Sequence, residues 1–122
     1  IGNLTGTADV AILAATSNIA LESRSLRYTI TAIAVNTTIQ LGDAISVVDA
    51  TGGNITITLP LANPATGLEY KIKKVDSSAN DVIVQGQGIE NIDGNASYRL
   101  TAKDEFVILV SDGSNWLLAG NN

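Results

Sequence analysis

From residue 27 onward, the sequence consists of short runs of β-branched residues separated by turn-forming residues. The most regular run is Ile55-Thr56-Ile57-Thr58-Leu59, in which aliphatic and polar residues alternate strictly before Pro60. Because successive side chains of a strand point to opposite faces, this period predicts a core-facing aliphatic side and a solvent-facing threonine side. The repetition of such runs at close spacing predicts a small all-β domain, an antiparallel sandwich or jelly-roll-like fold.

Two segments carry hairpin signals. Residues 44–49 and 55–59 flank Ala50-Thr51-Gly52-Gly53-Asn54, and residues 106–110 and 116–118 flank Asp112-Gly113-Ser114-Asn115. Both connections are rich in residues that favour tight turns, so each pair is predicted to form a β-hairpin. Further strands are predicted at residues 28–35, 68–75, 82–84 and 98–100. The 68–75 segment predicts a half-exposed strand, with Leu68, Tyr70 and Ile72 on one face and Glu69, Lys71 and Lys73 on the other.

Composition excludes several classes of function. The 122 residues contain neither Cys nor His, which removes thiolate nucleophiles, disulfides, the commonest general base and the commonest transition-metal ligand. The formal charge of −5 argues against nucleic-acid binding, because no basic stripe is available to neutralise phosphates. The longest apolar run, residues 10–15, is far shorter than the roughly 20 residues that span a bilayer. We therefore predict no enzyme activity, no nucleic-acid partner and no membrane partner.

The chain is predicted to have two parts, residues 1–43 and residues 44–122. Residues 44–122 are predicted to form a C-terminal β module, and residues 1–43 an N-terminal arm with the first strands, serving in attachment or subunit docking. Apolar side chains in the first part, Val10, Ile12, Leu13, Ile19 and Leu21, fit an arm packed on a neighbouring subunit and an ordinary first strand equally well. Because Met is absent even at position 1, we expect a processed chain or part of a longer one.

Acidic residues supply the only candidates for acid-base chemistry. The pairs closest in sequence are Asp104 with Glu105, and Asp76 with Asp81. Paired carboxylates can hydrolyse glycosides when they are held across a cleft. Each pair, however, lies where turns and strand edges favour acids, so solvated turns are the preferred interpretation and no catalytic residue is predicted.

The remaining polar motifs have simple structural explanations. The segments Asp93-Gly94-Asn95 and Asp112-Gly113-Ser114-Asn115 offer oxygen ligands but lack the pattern of a calcium-binding loop, so turns are predicted, with no metal and no cofactor. Lys71, Lys73 and Lys74 form a lysine cluster that could contact an acidic partner, but a solvated strand face is preferred. Trp116 with Tyr98 could form a sugar platform, but a cover over a small core is preferred. Four Asn-X-Ser/Thr triplets, at Asn3, Asn36, Asn54 and Asn95, are interpreted as coincidences.

An ordered series of motifs in residues 44–120 resembles a module found in tailed-bacteriophage fibres, tail spikes and head-surface proteins. The motifs are Ile55-Thr56-Ile57-Thr58-Leu59-Pro60, Gly67-Leu68-Glu69-Tyr70-Lys71-Ile72-Lys73-Lys74-Val75-Asp76, Glu90-Asn91-Ile92-Asp93-Gly94 and Val107-Ile108-Leu109-Val110-Ser111-Asp112-Gly113-Ser114-Asn115-Trp116. The resemblance implies a compact β module that forms a homotrimer, resides on the virion at the capsid surface or a tail appendage, and shares no catalytic residue.

Three functions are compatible with this resemblance. The first is a capsid cement, decoration or head-fibre protein whose partners are the major capsid protein or other virion proteins. The second is a receptor-binding tail fibre or tail-spike module that recognises a host surface glycan through loops such as residues 76–81 and 86–91. The third, and the least favoured, is a fragment of a carbohydrate-active enzyme. The sequence does not separate capsid from tail placement.

Overall fold

The computed structural model describes residues 27–122, which contain nine strands and no helix. The strands are β1 (Ile30–Ile33), β2 (Thr37–Thr38), β3 (Ile45–Val48), β4 (Ile55–Thr58), β5 (Glu69–Lys74), β6 (Val82–Gln85), β7 (Ser97–Leu100), β8 (Phe106–Ser111) and β9 (Trp116–Asn121). The all-β prediction is confirmed. The arm predicted within residues 1–26 lies outside the described residues.

The strands form two sheets that share one hydrophobic core. The five-stranded sheet has the order β1-β3-β5-β8-β9, and the four-stranded sheet has the order β2-β4-β6-β7. From β1 to β6 the chain alternates between the two sheets, and each of β3, β4, β5 and β6 pairs in parallel with the strand two positions earlier. This part of the chain therefore winds in successive two-strand turns, which we call rungs: β1–β2, β3–β4 and β5–β6.

The last three strands reverse direction. β7 pairs antiparallel with β6, β8 with β5, and β9 with β8. The predicted β8–β9 hairpin is confirmed. The general prediction of antiparallel pairing is wrong for the pairings among β1 to β6, which are all parallel, so both sheets are mixed.

The predicted hairpin of residues 44–59 is also wrong. β3 and β4 belong to different sheets, because residues 49–54 carry the chain across the core instead of folding it back on itself. The inward alternation of β4 is nevertheless confirmed, since Ile55 and Ile57 are buried. The turn-prone residues that suggested a hairpin form the corner of a rung.

The core is aliphatic and contains two aromatic rings. The side chain of Trp116 is fully buried and meets Tyr70 edge to face, with ring centroids 5.6 Å apart. The Tyr70 hydroxyl donates to the carbonyl of Leu41 at 2.9 Å. Ile33 at the end of β1 and Ile39 directly after β2 belong to the same core as the strands after residue 44. The residues between 27 and 43 thus pack as the first rung of the described structure.

Candidate interaction surface

The outer face of the five-stranded sheet is more apolar than the outer face of the four-stranded sheet. On each of these strands, one set of alternate residues faces the core, and the other set points away from it. On four of the five strands the outward set is apolar. We call this surface the apolar face; its members are Ile30, Ala32, Ile45, Val47, Phe106, Ile108, Val110 and Leu117.

Charged side chains on the apolar face occupy only the central strand, β5. Lys71 lies 3.6 Å from Glu69 and also places its Nζ 5.5 Å from the ring centre of Tyr28. Lys73 lies 3.4 Å from Asp104. These pairs are substantially exposed, so each contributes little to folding stability. The charged side chains of β5, which include both signs, form a column between the apolar outward residues of the neighbouring strands.

A shallow apolar groove runs between the central strand and its neighbours. Its volume is about 220 Å³, and its walls are formed by Ile45, Phe106, Ile108 and the β5 residues Lys71, Ile72 and Lys73. The alkyl stems of the two lysines cover apolar surface while their ammonium groups remain in water. The groove therefore offers a contact surface for apolar side chains from outside the chain.

The outer face of the four-stranded sheet is polar by comparison. Its outward residues are Thr38, Thr56, Thr58, Ile83, Gln85, Ser97 and Arg99. Ile83 is the one aliphatic member of this set, and it lies directly opposite Arg99. Solvated sheets usually have such a polar outer face. The two outer faces of one sandwich thus differ sharply in chemistry.

Two strands of the apolar face are continuously or almost continuously apolar in sequence. The segment from Phe106 to Val110 is apolar at every position, and three of the four residues of β3 are aliphatic. A strand with one solvated face alternates, whereas a strand covered on both faces is continuously apolar. These two strands flank β5 in the sheet.

A second exposed feature is the loop after β6. Ile89 at its tip is 99% exposed, an extreme value for an aliphatic side chain. The loop is anchored next to this tip, because both carboxylate oxygens of Glu90 accept from the backbone N–H of Ala62, at 3.0 and 3.2 Å. A shallow polar cavity of about 440 Å³ lies beside it, lined in part by Gly86, Gly88 and Asn91.

The candidate pair Asp76 and Asp81 is not held as a catalytic dyad. Asp76 Oδ2 binds Lys74 Nζ at 2.7 Å in a buried ion pair, and Asp81 binds Arg99 at 2.7 Å. Burial of Asp76 raises its pKa, but hydrogen bonds from Lys74, Ser78 and the backbone of Ala50 outweigh it and hold the pKa well below its usual range. Asp76 is therefore an ionised structural anchor, and the prediction that it is a solvated turn acid is wrong.

Asp104 and Glu105 also have structural partners. Asp104 takes a positive φ of 70° and pairs with Lys73. Glu105 Oε2 accepts from the backbone N–H groups of Thr101 and Ala102, at 2.5 and 3.1 Å, and these bonds lower the pKa of the Glu105 carboxyl. Both acids close the turn between β7 and β8.

The lysine cluster divides between the surface and the interior. Lys71 and Lys73 are half-exposed, as expected for a solvated strand face. Lys74 is fully buried, and besides Asp76 Oδ2 its ammonium donates to the carbonyls of Asp76 and Ser78. The prediction of a solvated face is therefore wrong for Lys74, because a charge can be buried when a counter-charge and acceptors surround it.

The predicted turn motifs form turns. In the first, Asp93 and Gly94 take positive φ values of 47° and 82°. In the second, Asp112 Oδ1 accepts from the N–H groups of Asn115 and Ser114, which lower the pKa of Asp112. Residues 27–122 contain no group of three or more acidic side chains placed to hold a metal ion.

The aromatic pair does not form a sugar platform. Trp116 is buried in the core, and within residues 27–122 its Nε1 has no hydrogen-bond partner. It is thus a core residue rather than the predicted surface cover. Tyr98 is half-buried on the other sheet, and its hydroxyl accepts from Asn121 Nδ2 at 2.6 Å.

Two of the asparagines interpreted as coincidences have defined structural roles. Asn36 Oδ1 accepts from the N–H of Thr56 at 2.8 Å, and Asn54 Oδ1 accepts from the N–H of Asp81 at 2.8 Å. Each asparagine thus caps a backbone amide of the following rung. Asn95 donates to the carbonyl of Asp93 at 3.3 Å, and Asn3 lies outside the described residues.

No known family model matches the chain, and no curated protein matches it in sequence. Within residues 27–122 there is also no helix long and apolar enough to cross a membrane.

Proposed function

We propose that this chain is a non-enzymatic structural protein of a tailed-bacteriophage virion, a capsid cement, decoration or head-fibre protein that assembles as a homotrimer. The apolar face is the observation that carries the proposal. A sheet whose outward set contains eight apolar residues, five of them half-buried and three exposed, while the other sheet is polar outside, is suited to being covered by another protein surface.

The dimensions of the apolar face suit a subunit interface. Five strands spaced about 4.8 Å apart and rising about 3.3 Å per residue are roughly 24 Å wide and about 13–20 Å long, since β1 and β3 have four residues and the other three have six. The projected area is on the order of 410 Å², about half of the roughly 800 Å² that each partner buries in a stable interface. Tyr28, which is exposed and contacts Lys71 of this face, extends the contact area.

The charge pattern of the face favours a second copy of the chain as its partner. Glu69 stands at one end of the central column, and Lys71 and Lys73 occupy the rest of it. A face that carries both signs can pack around a threefold axis with copies of itself, since the Glu69 end of one copy can meet the lysines of the next.

Structural contact, rather than chemistry, is also supported by the acids. In both candidate pairs the carboxylates are engaged by lysine, arginine or backbone N–H groups. A cement protein stabilises a capsid through many repeated weak contacts, which requires a rigid module and no reactive group.

Particle binding tests the proposal. Purified protein added to phage capsids that lack it should bind over the icosahedral shell and raise the temperature at which the capsids release DNA. Ile108→Glu on the apolar face should abolish both effects. Ile83→Glu, the same change on the polar sheet beside Arg99, should abolish neither. Copies found only on tail appendages would contradict the cement role.

A second function is favoured by the loop that bears Ile89. A receptor-binding tail fibre or tail-spike module would use this projecting side chain and the adjoining polar cavity to contact a host surface glycan or protein. Adsorption assays with whole bacteria separate this function from the first. Leu61, another exposed aliphatic residue, is the matched control. Binding that is lost in Ile89→Ser but retained in Leu61→Ser would favour the receptor role.

A further inference from the structure

Each sheet formed by residues 27–122 has two edge strands, and the first rung supplies one of them to each sheet. β1 is an edge of the five-stranded sheet and β2 is an edge of the four-stranded sheet, and both belong to the first rung. The carbonyls of Thr29 and Ile33 accept bonds from the β3 side. Because neighbouring residues of a strand direct their backbone groups to opposite sides, those of Ile30 and Ala32 point away from β3.

Exposed apolar side chains accompany these open edges. Ile30 is 65% exposed, Val35 is 69% exposed, and Tyr28 and Leu41 are also exposed. Proteins usually protect such an edge with charges, proline, a bulge or a covering segment. Neither β1 nor β2 carries a charged residue, a proline or a bulge. Within residues 27–122 the first rung therefore resembles an internal rung with no strand paired to its outer edges.

The asparagine caps show how one rung is joined to the next. Asn36 of the first rung caps the amide opposite it in the second, and Asn54 of the second caps the amide opposite it in the third. Both asparagines immediately precede the strand of the four-stranded sheet. An asparagine at the same place in an earlier segment would cap an amide at the corner between β1 and β2.

The sequence contains such an asparagine. Asn18 precedes Asn36 by 18 residues, the same spacing that separates Asn36 from Asn54. With that offset, residues 12–15 align with β1, and Ile12 and Ala14 match the identical residues Ile30 and Ala32. Residues 19–21 likewise align with residues 37–39, where an aliphatic residue ends both segments.

We propose that residues 12–21 of the same chain bind the open edges of β1 and β2 as a preceding rung, with Asn18 capping the β1–β2 corner. The connection has adequate length. Eight residues separate position 21 from β1, whereas six residues, 39–44, make the equivalent crossing from β2 to β3. This inference concerns the sheet edges and is independent of the trimer contact on the apolar face.

Engineered cysteines test the inference directly, because the natural chain contains none. The proposed register, taken from the 18-residue spacing of the asparagines, would place Ala14 beside Ala32, and neighbouring strand residues lie within the Cα separation of about 4.4–6.8 Å that a disulfide requires. The full chain with Ala14→Cys and Ala32→Cys should form a disulfide within one chain under mild oxidation. The matched pair Ala11→Cys with Ala32→Cys, three residues out of register, should remain reduced.

Non-reducing gel electrophoresis and intact mass identify the outcome. A single-chain mass carrying one disulfide in the in-register variant only is the expected result. Disulfide-linked dimers or trimers would overturn the inference in favour of an arm exchanged between subunits. Equal cross-linking of both cysteine pairs, or of neither, would show that residues 12–21 do not take this register.

Hydrogen exchange gives a second measurement that needs no cross-link. The amides of Ile30 and Ala32 should be protected in the full-length natural chain, and Asn18→Ala should accelerate exchange at the β1–β2 corner by at least tenfold. Asn3→Ala, which removes an asparagine outside the 18-residue series, should leave these rates unchanged. Rapid exchange of Ile30 and Ala32 in the natural chain would contradict the inference.

Discussion

Replacement of Asp76 by Asn tests the buried ion pair that ties β5 to the neighbouring corner. Asp76 Oδ1 accepts from Ala50 N–H at 2.7 Å, and Oδ2 accepts from Lys74 Nζ at 2.7 Å, Ser78 N–H at 2.9 Å and the Ser78 hydroxyl. The amide of Asn can retain the first bond. Its Nδ2 donor would then face three further donors, and the ammonium of Lys74 would lose its only counter-charge within the described residues.

The expected loss of stability is large. Removal of one partner from a buried pair leaves an uncompensated charge, and such changes cost about 3–5 kcal/mol. Small domains unfold with about 5–15 kcal/mol in total. With a urea dependence near 1.5 kcal/mol per molar, the midpoint of unfolding should fall by roughly 2–3 M.

Fluorescence of Trp116, the only tryptophan and fully buried, reports this unfolding. Asp81→Asn, which breaks the partly exposed pair with Arg99, is the matched control and should cost less than about 1 kcal/mol. Lys74→Met combined with Asp76→Asn should recover part of the loss, because it removes the unpaired ammonium while the amide oxygen still accepts from Ala50 N–H. A cost below about 1 kcal/mol for Asp76→Asn would refute the assignment of Asp76 as a buried anchor.

Three further predictions follow from individual residues. The folded-state pKa of Asp76 lies below its unfolded value of about 4, so the stabilisation by its ionised form is present above pH 4 and is lost as the pH falls further. Acid titration followed by Trp116 fluorescence should therefore show a steeper decline of folding stability in the natural chain than in Asp76→Asn. Gly86→Ala should destabilise the chain by about 1–3 kcal/mol in urea unfolding, because the new Cβ would meet the Glu90 backbone oxygen at 2.8 Å, whereas Gly52→Ala meets nothing within 4 Å and should be neutral. Ile89→Ser should change the free energy of unfolding by less than about 0.5 kcal/mol, as expected for a surface change, and a larger calorimetric effect would mean that this side chain is covered.

Local patterns in the sequence predicted the strands well. The alternation in β4 and β5 placed Ile55, Ile57, Tyr70 and Ile72 in the core, where the structure buries them. The Asp112-Gly113 turn also predicted the final hairpin, because both the turn and its flanking strands are local in sequence. These features depend on side-chain period and turn chemistry alone.

Pairing between distant strands was not predictable in the same way. Parallel pairing of β3 with β5 joins residues 26 positions apart, and no local signal distinguishes a corner from a hairpin turn at residues 49–54. Burial of Lys74 likewise depends on Asp76 and Ser78 being folded around it. The continuous apolar run of β8 indicated part of the apolar face, but the extent of that face depends on which strands become neighbours.

Sedimentation equilibrium at micromolar concentrations most directly tests the central claim that the apolar face joins copies of this chain. The natural protein and Ile83→Glu should both give three times the chain mass of 12.6 kDa, and Ile108→Glu should give a folded monomer with Trp116 still buried. A monomeric mass for the natural protein would contradict the claim, and so would a trimer that Ile108→Glu leaves intact.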